Sequence, residues 1–150
     1  MKSRIRVFIV EDDSLLRESL SMLIGLDDEM QAVGSAPNGE VALSELSRVK
    51  VDVILTDLEM PKMDGIEFTS KVRELLPDVP VVVLTKFGDD ERLFAAIKCG
   101  AIGYLLKDSG VEEIKGAIRD AAEGHGRLSP ALVTRVLAEF GRLQIGRAHV

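Results

Sequence analysis

Short, β-branched apolar runs that alternate with stretches of helical spacing constrain this chain more than any other feature. The runs lie at residues 5–10, 30–35, 51–56, 79–85 and 101–106, the second being the weakest. Three of them (IRVFIV, VDVILT and VPVVVLT) are apolar almost throughout. Strands covered on both faces of a parallel sheet read this way. The stretches between them carry apolar residues at helical intervals. Leu16, Leu20, Leu23 and Ile24 form the first set, and Val41, Ala42, Leu46 and Val49 the second, after an N-cap at Asn38. Ile66, Val72, Leu75 and Leu76 form the third, and Leu93, Ala96 and Ile97 the fourth. Val111, Ile114, Ala117, Ile118 and Ala121 form the fifth. Ser109 followed by Glu112 reads as a capping box, and Asp64 with Glu67 as a looser one.

Five β-then-α units predict right-handed crossovers and an α/β three-layer sandwich, flavodoxin-like (βα)5, with parallel strand order 2-1-3-4-5. Its functional groups belong at the C-terminal ends of the strands. A sixth helix is expected from Ser129-Pro130, which supply an N-cap and a proline at the first helical position. Leu132, Val133, Val136, Leu137 and Phe140 continue it.

The expected organisation is one domain over residues 1–126, a linker helix over 127–143, and a non-native tail over 144–150. The last seven residues, QIGRAHV, break the apolar pattern and can be back-translated into a common sequencing adaptor; a natural tail is the alternative.

Composition narrows the function. With 150 residues, 46% of them hydrophobic, the chain can build one sizeable core. The formal net charge of −6 argues against nucleic-acid binding by this chain alone. Cys99 is the single cysteine, so no internal disulfide and no CxxC site can form. The opening MKSRIRVFIVEDD has too short an apolar run for a signal peptide, and no stretch approaches a membrane span. A soluble, cytoplasmic protein without membrane contact is the expectation.

The residues that close the strand runs carry the chemistry. The first run ends in Glu11-Asp12-Asp13, the third in Thr56-Asp57, the fourth in Thr85-Lys86 and the fifth in Leu106-Lys107. In the 2-1-3-4-5 order the first and third strands are neighbours, so their acids converge, flanked by a hydroxyl and a lysine. Clustered carboxylates repel unless a cation offsets them. Mg²⁺, which takes a few carboxylates plus a phosphate, suits that role. An aspartate beside it can act as a nucleophile toward phosphorus. Singly, each residue has a plainer reading: Asp13 as a solvated helix start, the lysines as surface charges. Four strands ending in complementary groups make coincidence the weaker explanation.

The segment VDVILTDLEMPKMDG, with Asp57, Met60, Pro61, Asp64 and Gly65, resembles the response-regulator receiver family of two-component systems, and the likeness spans residues 5–123. The resemblance implies that Asp57 is the phosphoacceptor. It implies that Glu11 and Asp12 form the acidic pair, with Asp12 a direct Mg²⁺ ligand and Glu11 acting through water. The Glu59 backbone carbonyl would complete the metal ligands with Asp57. It also implies that Thr85 and Tyr104 are switch residues and that Lys107 pairs with the phosphate. The run GAIGYLLKD and the sixth helix resemble the NarL/FixJ-type subfamily, whose members carry a C-terminal LuxR-type helix-turn-helix absent from this chain. One departure is Lys86, where the family usually has a small or uncharged residue. It either borders the phosphoryl group or points to solvent. The Glu59 side chain is a second candidate modulator of water attack.

On this reading the chain is a signalling receiver, not an enzyme in the ordinary sense, although it assists its own phosphorylation and dephosphorylation. Its implied partners are a histidine kinase, a second copy on activation, and DNA only through the missing domain. A stand-alone receiver acting through protein contacts is the main alternative. A phosphohydrolase of the haloacid-dehalogenase type would place its nucleophile after the first strand, where the acidic pair stands. A dinucleotide-binding domain would need a GxGxxG loop there.

Overall fold

The computed structural model describes residues 3–86 and 90–148. Its elements follow in the order β1 (Ile5–Val10), α1 (Ser14–Gly25), β2 (Met30–Ala36), α2 (Gly39–Leu46), β3 (Val53–Asp57), α3 (Gly65–Leu75), β4 (Val81–Thr85), α4 (Asp90–Lys98), β5 (Gly103–Leu106), α5 (Val111–Ala122), β6 (Arg127–Leu128) and α6 (Pro130–Ala148). The sheet is parallel with order β2-β1-β3-β4-β5-β6. The five-strand order expected from the alternating pattern is present. β6 extends it at the far edge.

Strand alternation divides the core in two. Val7 and Ile9, Val53 and Leu55, Val82 and Leu84, and Leu105 meet α1 and α5 through Leu20, Ile24, Ile114, Ala117, Ile118 and Ala121. On the opposite face, Phe8, Val10, Ile54, Val81, Val83, Tyr104 and Leu106 meet α2, α3 and α4. Each buried Val, Leu, Ile or Phe contributes roughly 1.5–3 kcal/mol relative to exposure. This two-sided burial explains why the central runs have no polar alternation.

Caps fix where the helices start. Asp13 accepts hydrogen bonds from the N–H groups of Leu15 and Leu16, Asn38 from Val41, and Asp64 from Glu67. The expected capping box at Ser109 is absent. Ser109 N–H donates to the Leu106 carbonyl, closing the turn after β5, and α5 begins one residue later, with Gly110 at the N-cap and no side-chain cap bond. Two other assignments also shift. α2 stops at Leu46, before Val49. In α3, Phe68 and Val72 fill the core face, while Leu75, in the last turn, is exposed because the chain leaves the helix at Leu76.

β6 was not expected. Gly124, with φ +82°, ends α5 in the left-handed conformation that a side chain disfavours. The chain then returns to the sheet. Arg127 N–H donates to the Ile102 carbonyl, and Ser129 N–H to the Tyr104 carbonyl. α6 starts at Pro130, as the Ser-Pro pair predicted, and packs on α4 and β5 with Leu132 fully buried and Val136 beside it. Its backbone continues past residue 143 to Ala148. Residues 149–150 of the expected non-native tail lie outside the described part.

Candidate acidic phosphoryl site

β1 sits between β2 and β3, so the chain leaves it in opposite directions on its two sides, and a crevice opens at the strand ends there. Glu11 and Asp12 follow β1, and Asp57 is the last residue of β3. Thr85 ends β4, and Lys107 follows β5. One carboxylate oxygen each from Glu11, Asp12 and Asp57 lie within 4.8 Å of one another. Lys107 Nζ stands 2.9 Å from Asp57 Oδ2 and 2.9 Å from Glu11 Oε1. The Glu59 N–H donates to the other Asp57 oxygen at 3.2 Å. The acids expected from the strand ends therefore meet, with the expected lysine between two of them.

The electrostatics are unbalanced. Three carboxylates face one ammonium, and the Glu11 and Asp57 side chains are 2% and 3% exposed. Burial pushes the Glu11 carboxyl up to about 7, with Lys107 only partly opposing it. Burial also raises the Asp57 carboxyl against the pull of Lys107. Asp12, at the mouth, goes the other way: its slight burial is outweighed by hydrogen bonding with Glu11 and Asp57 and by Lys107. The Lys107 ammonium is raised, because its contacts with the two acids outweigh its own burial. Glu11 Oε1 is buried and accepts no hydrogen bond; its 2.9 Å contact with Lys107 has the distance of an ion pair but not the direction of a hydrogen bond. Three converging carboxylates set against one ammonium, with a buried Glu11 oxygen that no hydrogen bond fills, fit a hard divalent cation such as Mg²⁺.

The cleft above these groups has a volume of about 510 Å³ and is lined by Asp12, Asp57, Glu59, Met60, Lys86 and Lys107 among others. Lys86 is solvent-exposed yet forms part of this wall. Thr85 is nearly buried, and its hydroxyl donates to the Lys86 carbonyl at 3.2 Å. Tyr104 is not in the cleft. It is buried under α4, its hydroxyl 2.5 Å from the Ala101 carbonyl and 3.2 Å from that of Ala96. Burial keeps its phenol protonated by raising it above its ordinary value. Below the cleft, the MPKMDG run makes a tight turn in which Met63 N–H donates to the Pro61 carbonyl across Lys62, at φ 68°.

Residues 7–119 match the family described as the response regulator receiver domain. The chain belongs to that family. The transcriptional regulatory protein YxjL of Bacillus subtilis is 36% identical over 141 residues, covering 94% of this chain and 65% of its own length. The transcriptional regulatory protein LiaR of the same species is 36% identical over 136 residues, covering 91% of this chain and 64% of its own. The chain thus spans a little under two thirds of the length of these curated relatives. Among solved structures, the signal receiver domain of the response regulator NarL from Mycobacterium tuberculosis aligns with a TM-score of 0.77 and 32% identity, over 82% of this chain and 99% of that one. The receiver fold and the response-regulator resemblance read from the sequence both hold.

Two side chains at the site carried no motif signal. Arg17, on α1, donates from Nη1 to the Glu11 carbonyl at 2.6 Å and so fixes the backbone of the acidic pair. Arg92, on α4, reaches the loop after β3. Only the folded chain brings these arginines to backbone groups they do not neighbour in sequence.

Proposed function

We propose that this receiver takes a phosphoryl group onto Asp57 from a phosphohistidine of a partner kinase and relays that event to transcription. The observation that carries the reading is Asp57 at the strand crossover, one oxygen held by Lys107 and the other by the Glu59 N–H, beside Glu11 and Asp12. An Asp57 oxygen attacks phosphorus while the P–N bond to the imidazole breaks, and the bonding pair leaves with the ring nitrogen, which takes up a proton. Asp12, Asp57 and the Glu59 carbonyl are the residues that would hold Mg²⁺, with Glu11 acting through bound water. Bound there, the ion supplies positive charge opposite the transferring oxygens. Lys107 stays paired with the acceptor and offsets the charge gained on phosphorylation.

Thr85 then turns its hydroxyl from the Lys86 carbonyl to the phosphoryl oxygen, and Tyr104 repacks beneath α4. Lys86 and the Glu59 side chain, both in the cleft wall, modulate the lifetime of the phosphoryl group by limiting access of water. On this reading residues 1–126 are the receiver, and residues 127–143 are the linker toward an effector domain that binds DNA in the full-length protein. Phosphorylated chains pair into dimers, in the cytoplasm. The relatives named as transcriptional regulators support this output. Among the described residues no helix is long and apolar enough to cross a membrane.

The test is intact mass after incubation with Mg²⁺ and acetyl phosphate. The expected result is one adduct of about 80 Da, a single acyl phosphate, labile to hydroxylamine and lost in Asp57→Ala. A wild-type protein that gains no adduct, with Lys86→Ala equally inert, overturns the reading.

A further inference from the structure

Arg92 belongs to none of the motifs that define the site, and it does not line the cleft. Its guanidinium nevertheless lies against both ends of the loop that follows Asp57. Nη2 donates to the Leu58 carbonyl at 3.4 Å and stands 3.5 Å from Asp64 Oδ2, while Nε is 3.9 Å from Glu59 Oε1. Leu58 begins the loop, and Asp64 ends it by capping α3. The Leu58 carbonyl also accepts the Gly65 N–H at 2.7 Å, so the loop is already closed on itself. Arg92 adds a clasp from a different element, α4. Glu59, held in that loop, provides the N–H that orients Asp57.

We propose that Arg92 is a positioning residue for phosphoryl acceptance, clamping the 58–64 loop from α4 so that the main chain of Glu59 stays aimed at Asp57 and at the cation. The proposal rests on the reading of Asp57 as the phosphoacceptor. Each contact alone is weak, because a partly exposed ion pair contributes little. Three contacts on one short loop act together on its backbone, and it is the backbone that supplies a ligand and a donor. Outer groups that orient ligands typically change metal affinity by about 10–100-fold when removed. The partial exposure of Arg92 and the loop's own hydrogen bond reduce that to about 3–10-fold here. Coupling is reciprocal. An ion or phosphoryl group that orders the loop also strengthens its hold on α4, the helix that covers Tyr104.

The experiment compares wild type, Arg92→Ala, Arg92→Lys and Asp64→Asn. Magnesium chloride is titrated into each protein by calorimetry. Acyl-phosphate formation from acetyl phosphate is then timed across magnesium concentrations, and urea midpoints are recorded alongside. Arg92→Ala is expected to raise the magnesium Kd about 3–10-fold, while the rate at saturating magnesium falls by less than about twofold. Arg92→Lys should recover part of the affinity. Asp64→Asn, which keeps an oxygen for the Glu67 N–H, should shift it in the same direction by less, and it carries the test if Arg92→Ala does not fold. An Arg92→Ala protein that binds magnesium as wild type does, while wild type is phosphorylated on Asp57, overturns the clamp and leaves the site reading standing. A wild type that binds no magnesium and gains no phosphoryl group overturns both.

Discussion

Replacing Gly65 by alanine tests whether the end of β3 and the start of α3 are pressed together as closely as the geometry indicates. A Cβ at Gly65 would meet the Asp57 carbonyl oxygen, with Leu58 Cα at 2.7 Å and Leu58 O at 3.1 Å. All three are main-chain atoms, and comfortable carbon contacts begin near 3.5 Å. The backbone would have to separate by up to about an ångström. It is held there by the Gly65 N–H on the Leu58 carbonyl at 2.7 Å and by the Leu58 N–H on the Leu84 carbonyl at 3.2 Å. Overpacking of this kind costs about 3 kcal/mol. The better helix propensity of alanine returns up to about 1 kcal/mol. The net loss is about 2 kcal/mol, which at a urea slope of about 2 kcal/mol/M lowers the midpoint by about 1 M. Because the displaced atoms belong to Asp57 and its neighbour, phosphorylation by acetyl phosphate should slow as well. Gly25→Ala is the control: nothing lies within 4 Å of its Cβ, so it should be neutral or stabilising by up to about 1 kcal/mol. Equal midpoints for Gly65→Ala and wild type, with phosphorylation unchanged, would refute the close-approach argument.

Two further outcomes concern residues away from the cleft. The Arg6 guanidinium, hydrogen-bonded to Asp52 at 3.0 Å through both Nε and Nη2, holds that carboxyl below its ordinary 3.8 against the pull of burial. Its contribution is present above pH 3.8 and lost as pH falls through the lowered folded value. Asp52→Asn should therefore cost at most about 1 kcal/mol at pH 7, since both side chains are more than a third exposed. The difference from wild type in urea melts should shrink steadily below pH 3.8; a gap that widens in acid would contradict the assignment. Tyr104→Phe removes the buried hydroxyl donor to the Ala101 carbonyl and should cost about 1 kcal/mol in the same assay. Acyl-phosphate formation at Asp57 should stay near wild type; a loss of acceptance would show that the hydroxyl reaches the site chemistry.

The fold and the acidic cluster were legible because both depend on local patterns. Short, continuous, β-branched apolar runs such as VPVVVLT read as strands covered on two faces, and each chemical group follows such a run directly. Once the strand order is set, Glu11, Asp12, Asp57 and Lys107 must converge. β6 escaped because two residues, Arg127 and Leu128, carry no periodicity; a hydrogen-bonded edge created them, not a side-chain pattern. Ser109 misled because the capping signature ignores what the preceding strand needs, and its N–H closes the β5 turn. Arg17 was invisible because its target is a carbonyl, which every residue has, and Arg92 because the Leu58 carbonyl, Glu59 and Asp64 that it meets stand far from it in sequence.

The short strand after α5 makes Tyr104 the root of a lever. Leu128 pairs with Tyr104 across the sheet, Ser129 bonds to the Tyr104 carbonyl, and α6 leaves from Pro130. That helix has 19 residues, or about 28 Å at 1.5 Å per residue. A tilt of about 10° at its base, with no residue unfolding, sweeps its far end through about 5 Å. Any tilt that a repacking of Tyr104 imposed at this base would be magnified along the helix to a displacement comparable with a full helical turn.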